Sequence, residues 1–262
     1  MFKNLIKSAS INLGVFTVST QDIEVIKKFI NSVKPVSTQF KLKRIGNKNG
    51  DGGYLLPDDF EGISFCFSPG VSNEASFEEE LTSKGIKCFL ADYSVAEAPL
   101  ENEKIKFDKK FVGSYESEKF IDINSWINKY KLDLKGDGIL QMDIEGQEYE
   151  AIYALNDNLL RKFRIVVIEF HALDYLFNKF GFNIINNTFQ KLLKDYKVVH
   201  IHPNNCCGVV SKKNIEIPRI MEFTFLRKDR IDKVSQVKDF PHKLDVKNTD
   251  KDDIVLADCW YN

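Results

Sequence analysis

From Ile63 onward, short apolar runs alternate with helix-length segments, and the apolar runs stop at polar residues. The runs at 63–68, 87–91, 138–142, 164–170 and 196–201 read as strands, and 74–84, 122–130, 147–156 and 173–194 read as helical. A strand-like stretch near 104–112 leads into the second of these helices. Strands that alternate with helices build a mostly parallel, doubly wound sheet with helices on both faces. The nearly continuous apolar character of "RIVVIEF" (164–170) suits a strand covered on both sides. A last strand, "IMEFTFL" (220–226), has no clear helix before it, so an antiparallel hairpin is expected at one edge of the sheet.

Upstream, Ile23, Ile26, Ile30 and Val33 recur at helical spacing across Asp22–Val33, with Ser19 or Thr20 as cap and Pro35 as stop. "FKLKRIGNKNGDGGYLLP" then reads as two short strands around a Gly/Asn/Asp-rich turn at 46–53. Gly52-Gly53 suits a hairpin. The turn is long, however, and with Arg44 and Asp51 beside it, it could also fold over a ligand. The expected organisation is an N-terminal helical extension (1–38), one α/β domain (39–228), and a charged irregular tail (229–262) packed on that domain.

A chain of 262 residues with 43% hydrophobic residues can bury a substantial core. Its formal net charge of -1 gives no global field that would steer it to nucleic acid. Nothing reaches the roughly 18–20 apolar residues of a membrane span. The start, "MFKNLIKSASINLGVFTVST", lacks a long apolar run and a cleavage site. It is expected to dock on the core or on a second subunit, which would make a homodimer. Of five scattered cysteines, Cys66 and Cys88 fall inside strand-like runs and read as core residues in a reducing cytoplasm. Cys206-Cys207 lacks the C-x-x-C spacing of a zinc or redox site.

In an open α/β sheet, ligands bind outside the carboxyl ends of the strands, where the strand order reverses. The polar residues at these ends are therefore the candidates for chemistry. They are Ser68, Gly70, Ser72 and Asn73; Asp92, Tyr93 and Ser94; Asp143 and Glu145; His171; and His202 with Asn204 and Asn205. "SPGVSNE" brings Gly70 and then free helix N–H groups, and Asp92 follows about twenty residues later, where an acid can accept a ribose's hydroxyls. The first loop is neither G-x-G-x-x-G nor a Walker loop, which disfavours NAD and ATP. Asp143 could hold a substrate hydroxyl, take its proton, or bind a divalent ion. Asp143 or Glu145 could instead cap the next helix, and Glu148 could serve a cap or a structural pair. His171 lies at i+2 from Glu169, so the two can point the same way. His171 and His202 can be read as bases, substrate anchors or ligands, or as satisfied structural histidines. Asn204 and Asn205 could hydrogen-bond a polyhydroxylated substrate or simply make a turn.

Together these segments resemble the FkbM-like branch of class I S-adenosylmethionine-dependent methyltransferases. "LQMDIEGQEYEAI" looks like that family's lysine-or-glutamine–x–Asp–x–Glu–Gly–x–Glu segment. "RIGNKNGDGGYLLP", "FSPGVSNEASFEEEL", "IEFHAL", "HIHPNN" and "MEFTFLR" complete an ordered set from Arg44 to Arg227. The first loop departs from the family's usual Asp-x-Gly-x-x-x-Gly, with Ser-Pro-Gly-Val-Ser in its place. The resemblance implies a Rossmann-like seven-stranded sheet with the last strand antiparallel. It implies S-adenosylmethionine across the first two strand ends, with Tyr93 or Ser114-Tyr115 bordering the adenine. The implied cofactor set is Asp51, Gly53, Tyr54, Ser68, Gly70, Val71, Ser72, Asn73, Asp92, Tyr93, Ser94 and Asp143. Asp143, His171 and His202 are the expected catalytic residues, and Glu145, Glu169, Asn204 and Asn205 the expected substrate contacts. The implied reaction is O-methylation of a small-molecule acceptor, a sugar, free or nucleotide-activated for a surface polysaccharide. N-methylation of a small amine or amino sugar, a nucleotide-binding oxidoreductase, and a binding module without catalysis are the alternatives. A divalent metal held by Asp143, Glu169 and His171 is a further, less favoured option.

Overall fold

The computed structural model describes residues 10–14, 17–131 and 134–262. The expected docking of the extreme N-terminus lies for the most part outside them. The chain is anchored at Ser19–Gln21, where Gln21 N–H donates to the Phe177 carbonyl (2.8 Å) and Lys179 N–H to that of Ser19 (3.1 Å). Helix α1 (Ile23–Ser32) follows and buries Ile26, Phe29 and Ile30. Its cap is Asp22 rather than Ser19 or Thr20: the Asp22 carboxylate accepts the Glu24 N–H at 2.8 Å.

The central sheet has seven strands: β1 (Ile63–Pro69), β2 (Lys87–Ala91), β3 (Ile105–Asp108), β4 (Asp137–Met142), β5 (Phe163–Phe170), β6 (Tyr196–Pro203) and β7 (Met221–Arg227). They lie in the order β6-β7-β5-β4-β1-β2-β3. β1 to β5 pair in parallel, whereas β7 runs antiparallel to both β5 and β6. The chain winds outward from β1 to β3 and then returns to place β4 on the other side of β1. The crevice for a ligand is therefore at the β1/β4 ends. The expected antiparallel pair forms, but its last strand is interior: β7 inserts between β5 and β6, and β6 is left as the edge. The stretch near 104–112 divides into β3 and a short strand, Phe111–Gly113, which pairs with Phe120–Asp122 in a separate ribbon.

The period-2 alternation of each strand feeds two cores. Phe65, Phe67, Val166, Ile168 and Phe170 pack on one face with α1, α3 (Ile123–Lys129), α4 (Glu148–Ala154) and α6 (Lys179–Asp195); α5 is the single turn Asp157–Leu160. Cys66, Cys88, Ile139, Ile165 and Val167 pack on the other face, under α2 (Ser76–Ser83) and the hairpin Leu42–Gly46/Gly53–Pro57. Thr224 ties this hairpin to the sheet by donating its hydroxyl to the Leu55 carbonyl (2.8 Å). The residues after 229 are mostly irregular, yet Trp260 is fully buried and donates its indole N–H to the Glu216 carbonyl (2.9 Å). No helix among the described residues is long and apolar enough to cross a membrane.

Candidate active site

The rim is built by register. Glu169 of β5 pairs with Glu222 of β7, and Glu222 pairs with His202 of β6. On the other side, Ile168 pairs with Met142, which brings Glu169 beside Asp143 at the end of β4. Side chains at i and i+2 share a face. Gln141 and Asp143, like Glu169 and His171, therefore continue the hairpin-facing set of Ile139, Ile165 and Val167. Four neighbouring strands thus present Asp143, Glu169, Glu222 and His202 in one row.

The β4-to-α4 loop turns through two left-handed residues, Glu145 (φ 57°) and Gly146 (φ 103°). Neither Asp143 nor Glu145 caps the following helix. Glu148, the first residue of α4, braces the loop instead: its side chain is 0% exposed, and one oxygen accepts the loop N–H groups of Ile144 (3.1 Å) and Gly146 (3.0 Å). The same oxygen meets His171 Nδ1 at 3.1 Å. The ring is thereby fixed with Nε2 facing Glu145 (3.5 Å), Asp143 (3.9 Å) and Glu169 (3.9 Å). Tyr149 adds a hydroxyl bond to the His171 carbonyl (2.7 Å). Asp143 Oδ1 is buried with no hydrogen-bond partner among the described residues.

So many acids in one desolvated row hold their protons tightly. Burial, then the charge of Glu169, pushes Asp143 up to about 9. Burial, then Glu222, pushes Glu169 up to about 7, although Asn204 Nδ2 donates to it at 2.7 Å. Burial pushes Glu222 up to about 8, with Asp51 adding to the effect. Burial alone would lower His171, but the Glu148 bond and the surrounding carboxylates outweigh it and raise the ring to about 9. At neutral pH the ligand-free imidazole is therefore a cation.

At the crevice, Gly70 (φ +87°) passes so close to the β4 end that a Cβ there would lie 1.5 Å from the Asp143 carbonyl oxygen. Only glycine allows the two loops to cross. Asp51, Tyr54, Gly70, Val71, Ser72 and Asp143, all of the expected cofactor set, line one hollow of about 260 Å³. Asp92 stands across the Gly70 loop: it accepts the Ser72 N–H (2.8 Å) on one oxygen and the Ser94 N–H (2.7 Å) and hydroxyl (2.6 Å) on the other. Beyond it, the Tyr93 ring packs against Phe111 (5.4 Å), and Tyr115 stacks on Phe120 (4.9 Å).

Other expected residues fall elsewhere. Ser68 lies beneath the rim, fully buried between Glu78 and Gln141. Gly53 packs inside the hairpin turn, where a Cβ would meet the Asn47 carbonyl at 2.0 Å. Asn73 is exposed and does not line the hollow. His202 is separated from Asp143 by β5 and β7, which at strand spacing is roughly 14 Å. It faces Asp245 instead (3.9 Å), and that carboxylate meets His200 at 2.8 Å. Burial lowers the His202 pKa. The Asn205 side chain is spent on the C-terminal segment: its amide donates to the carbonyls of Thr249 (3.1 Å) and Lys251 (2.9 Å), and its oxygen accepts the Thr249 N–H (2.8 Å).

Glu222 and Asp245 were missed by the sequence reading. An acid at an alternating position of "MEFTF" is a detectable signal for Glu222, whereas nothing in the charged tail distinguishes Asp245. Asn248, also from the tail, donates to both Glu222 (2.9 Å) and Asp51 (3.0 Å), and so ties the tail to β7 and the hairpin turn.

The sheet order, with its interior antiparallel β7 and polar rim at the switch point, is that of a Rossmann-like methyltransferase. Residues 38–197 match the methyltransferase FkbM domain, and the chain belongs to that family. It is a methyltransferase, and membership implies S-adenosylmethionine as the methyl donor. No curated protein is similar enough in sequence to count as a match. Among solved structures, a fibrillarin/Nop5p complex is similar at 12% identity over 74% of this chain and 98% of the matched chain, with a TM-score of 0.37. EvdMO1 is similar at 10% identity over 79% of this chain and 47% of that chain, with a TM-score of 0.29. Likeness of this degree adds nothing to what the sheet order shows.

Proposed function

We propose that the protein transfers a methyl group from S-adenosylmethionine to a hydroxyl oxygen of a sugar-containing acceptor. The observation that carries this reading is the cluster of Asp143, Glu169 and the Glu148-oriented His171 beside the Gly70 crossing. A hydroxyl acceptor needs hydrogen-bond partners and a group that takes its proton, and these residues offer both. Bound S-adenosylmethionine supplies an electrophilic methyl group on a cationic sulfur. The residues fit such a cation: the hollow is bordered by Asp51 and by Asp143, whose buried Oδ1 has no hydrogen-bond partner among the described residues and whose proton a nearby positive charge would help to displace. Asp92 keeps one open lone-pair site, on the oxygen that accepts the Ser72 N–H, and is the candidate for a ribose hydroxyl. Tyr93 is the candidate border of the adenine.

In this reading Asp143 orients the acceptor hydroxyl. His171, already protonated, acts as the positioning charge that keeps the carboxylates in place rather than as the base. Glu169 takes the proton, because at about 7 its affinity suits work near neutrality. His202 and Asn205 support the tail, and Asn204 holds Glu169. The test is methyl transfer from labelled donor to matched panels of sugars and amino sugars, with the product linkage read by mass spectrometry. Label on oxygen is expected, and label on nitrogen alone would overturn the hydroxyl assignment.

A second reading has one observation in its favour. Asp143, Glu145 and His171 bring ligand atoms within 4.8 Å of one another, close enough to share a divalent ion that would acidify the hydroxyl. Full turnover in the presence of a chelator would remove it.

A further inference from the structure

Between α4 and α6 runs an apolar groove of about 520 Å³ that begins at the rim. Its upper end is formed by Gly146 and Ala172, the chain neighbours of Glu145 and His171. Tyr149, which holds the His171 carbonyl, lies in its wall, and Tyr153, Tyr175 and Ile184 line it further along, with Gln147, Asn187 and Thr188 as uncharged polar neighbours. Tyr153 and Tyr175 are more than half exposed, so two large rings stand in water along a concave surface. The volume falls within the range that holds small organic ligands.

Charge decides what class of molecule fits. Among the described residues that line the groove there is no lysine or arginine, and Glu150 is the one charged side chain. The rim it joins carries Asp143, Glu145 and Glu169. A phosphate or pyrophosphate in the groove would meet Glu150 with no guanidinium or ammonium among the described lining residues to receive it, and the His171 imidazolium at the rim is already engaged by Asp143, Glu145, Glu148 and Glu169. Tyrosine rings and an isoleucine favour an uncharged apolar body, and a sugar ring can pack on the same tyrosines.

We infer that this groove binds the non-reacting part of the acceptor, an uncharged aromatic or aliphatic aglycone, and that the acceptor carries no phosphate. The inference rests on the methyltransferase reading above and narrows it: the sugar arrives already attached to an apolar group, not as a nucleotide-activated donor. A reaction that joins a sugar to an apolar acceptor must then precede this one.

The test is isothermal titration of the full chain, held with excess S-adenosylhomocysteine, with phenyl β-D-glucopyranoside, glucose and UDP-glucose. Phenyl glucoside should bind about tenfold more tightly than either of the others. Ile184→Asp and Tyr153→Ser, both at partly exposed positions outside the proposed catalytic cluster, should each weaken it about tenfold and leave S-adenosylhomocysteine affinity unchanged. Equal affinities, a preference for UDP-glucose, or indifference to both substitutions would overturn the inference. So would sedimentation of the wild type as a dimer that Ile184→Asp dissociates, because the groove would then be an interface between copies. Failure of S-adenosylhomocysteine to bind while phenyl glucoside still does would count against the methyltransferase site and leave the groove standing.

Discussion

Replacing Glu222 with Gln isolates the cost of keeping acids in the rim. Glu222 is buried between Glu169 and His202, and its one side-chain hydrogen bond among the described residues is from the Asn248 amide at 2.9 Å. Burial and the charge of Asp51 bring it to about 8, while the unfolded chain would release the proton near the ordinary glutamate value of about 4.3. Between these values the folded protein holds a proton that the unfolded chain has lost. Stability must then fall as pH rises, at about 1.4 kcal/mol per pH unit, and level off above the folded value. From pH 6 to pH 8 this one group contributes a loss of about 2–3 kcal/mol, or roughly 5–10 °C in melting temperature for a domain of this size. Asp143, Glu169, Glu78 and His171 are all raised and slope in the same direction, so the wild type should lose more than this. Gln keeps the shape and the Asn248 contact but does not titrate. It also relieves Glu169 of the like charge that raises it most. Urea and thermal denaturation at pH 6, 7 and 8 should give Glu222→Gln a visibly shallower pH slope than the wild type. Equal slopes, or a wild type that gains stability with pH across this range, would refute the reasoning.

Three further outcomes are expected. Asp92→Ala should weaken S-adenosylhomocysteine binding by about 1.5–3 kcal/mol, the worth of a charge-assisted hydrogen bond, with calorimetry as the readout; unchanged affinity would take Asp92 out of the site. Gly70→Ala puts a Cβ 1.5 Å from the Asp143 carbonyl at a left-handed φ, so a loss of more than about 3 kcal/mol in urea titration is expected. Glu169→Gln should leave S-adenosylhomocysteine binding intact and lower turnover. In the wild type, kcat should rise with pH through about 7, as Glu169 loses its proton, and this limb should vanish in the variant.

The alternation of apolar runs and helices was readable because burial on a covered parallel sheet dictates residue type position by position. β2 falls on the expected 87–91, and β4 begins one residue before the expected start. The polar strand ends were readable for the same reason, since a residue that leaves the core edge no longer has to be apolar. That Glu169 and His171 share a face follows from strand period alone, whereas Asp143 joins them through the register of β4 with β5.

Contacts between distant segments were not readable. β7 is last in sequence but slides between β5 and β6, which puts Glu222 beside Glu169 and moves His202 three strands from Asp143. Nothing local to "HIHPNN" records that displacement. Glu148 could be read as a cap or a structural pair, but its partner, His171, could not, because the left-handed turn at Glu145 and Gly146 folds the helix start back on the rim. Asn205 became a clasp for residues 249–251, more than forty positions away, through hydrogen bonds to a backbone that has no sequence signature. Sequence thus determined which residues leave the core and on which side of a strand they stand. Tertiary structure decided which of them meet, because strand order and charge burial depend on the whole chain rather than on any stretch of it.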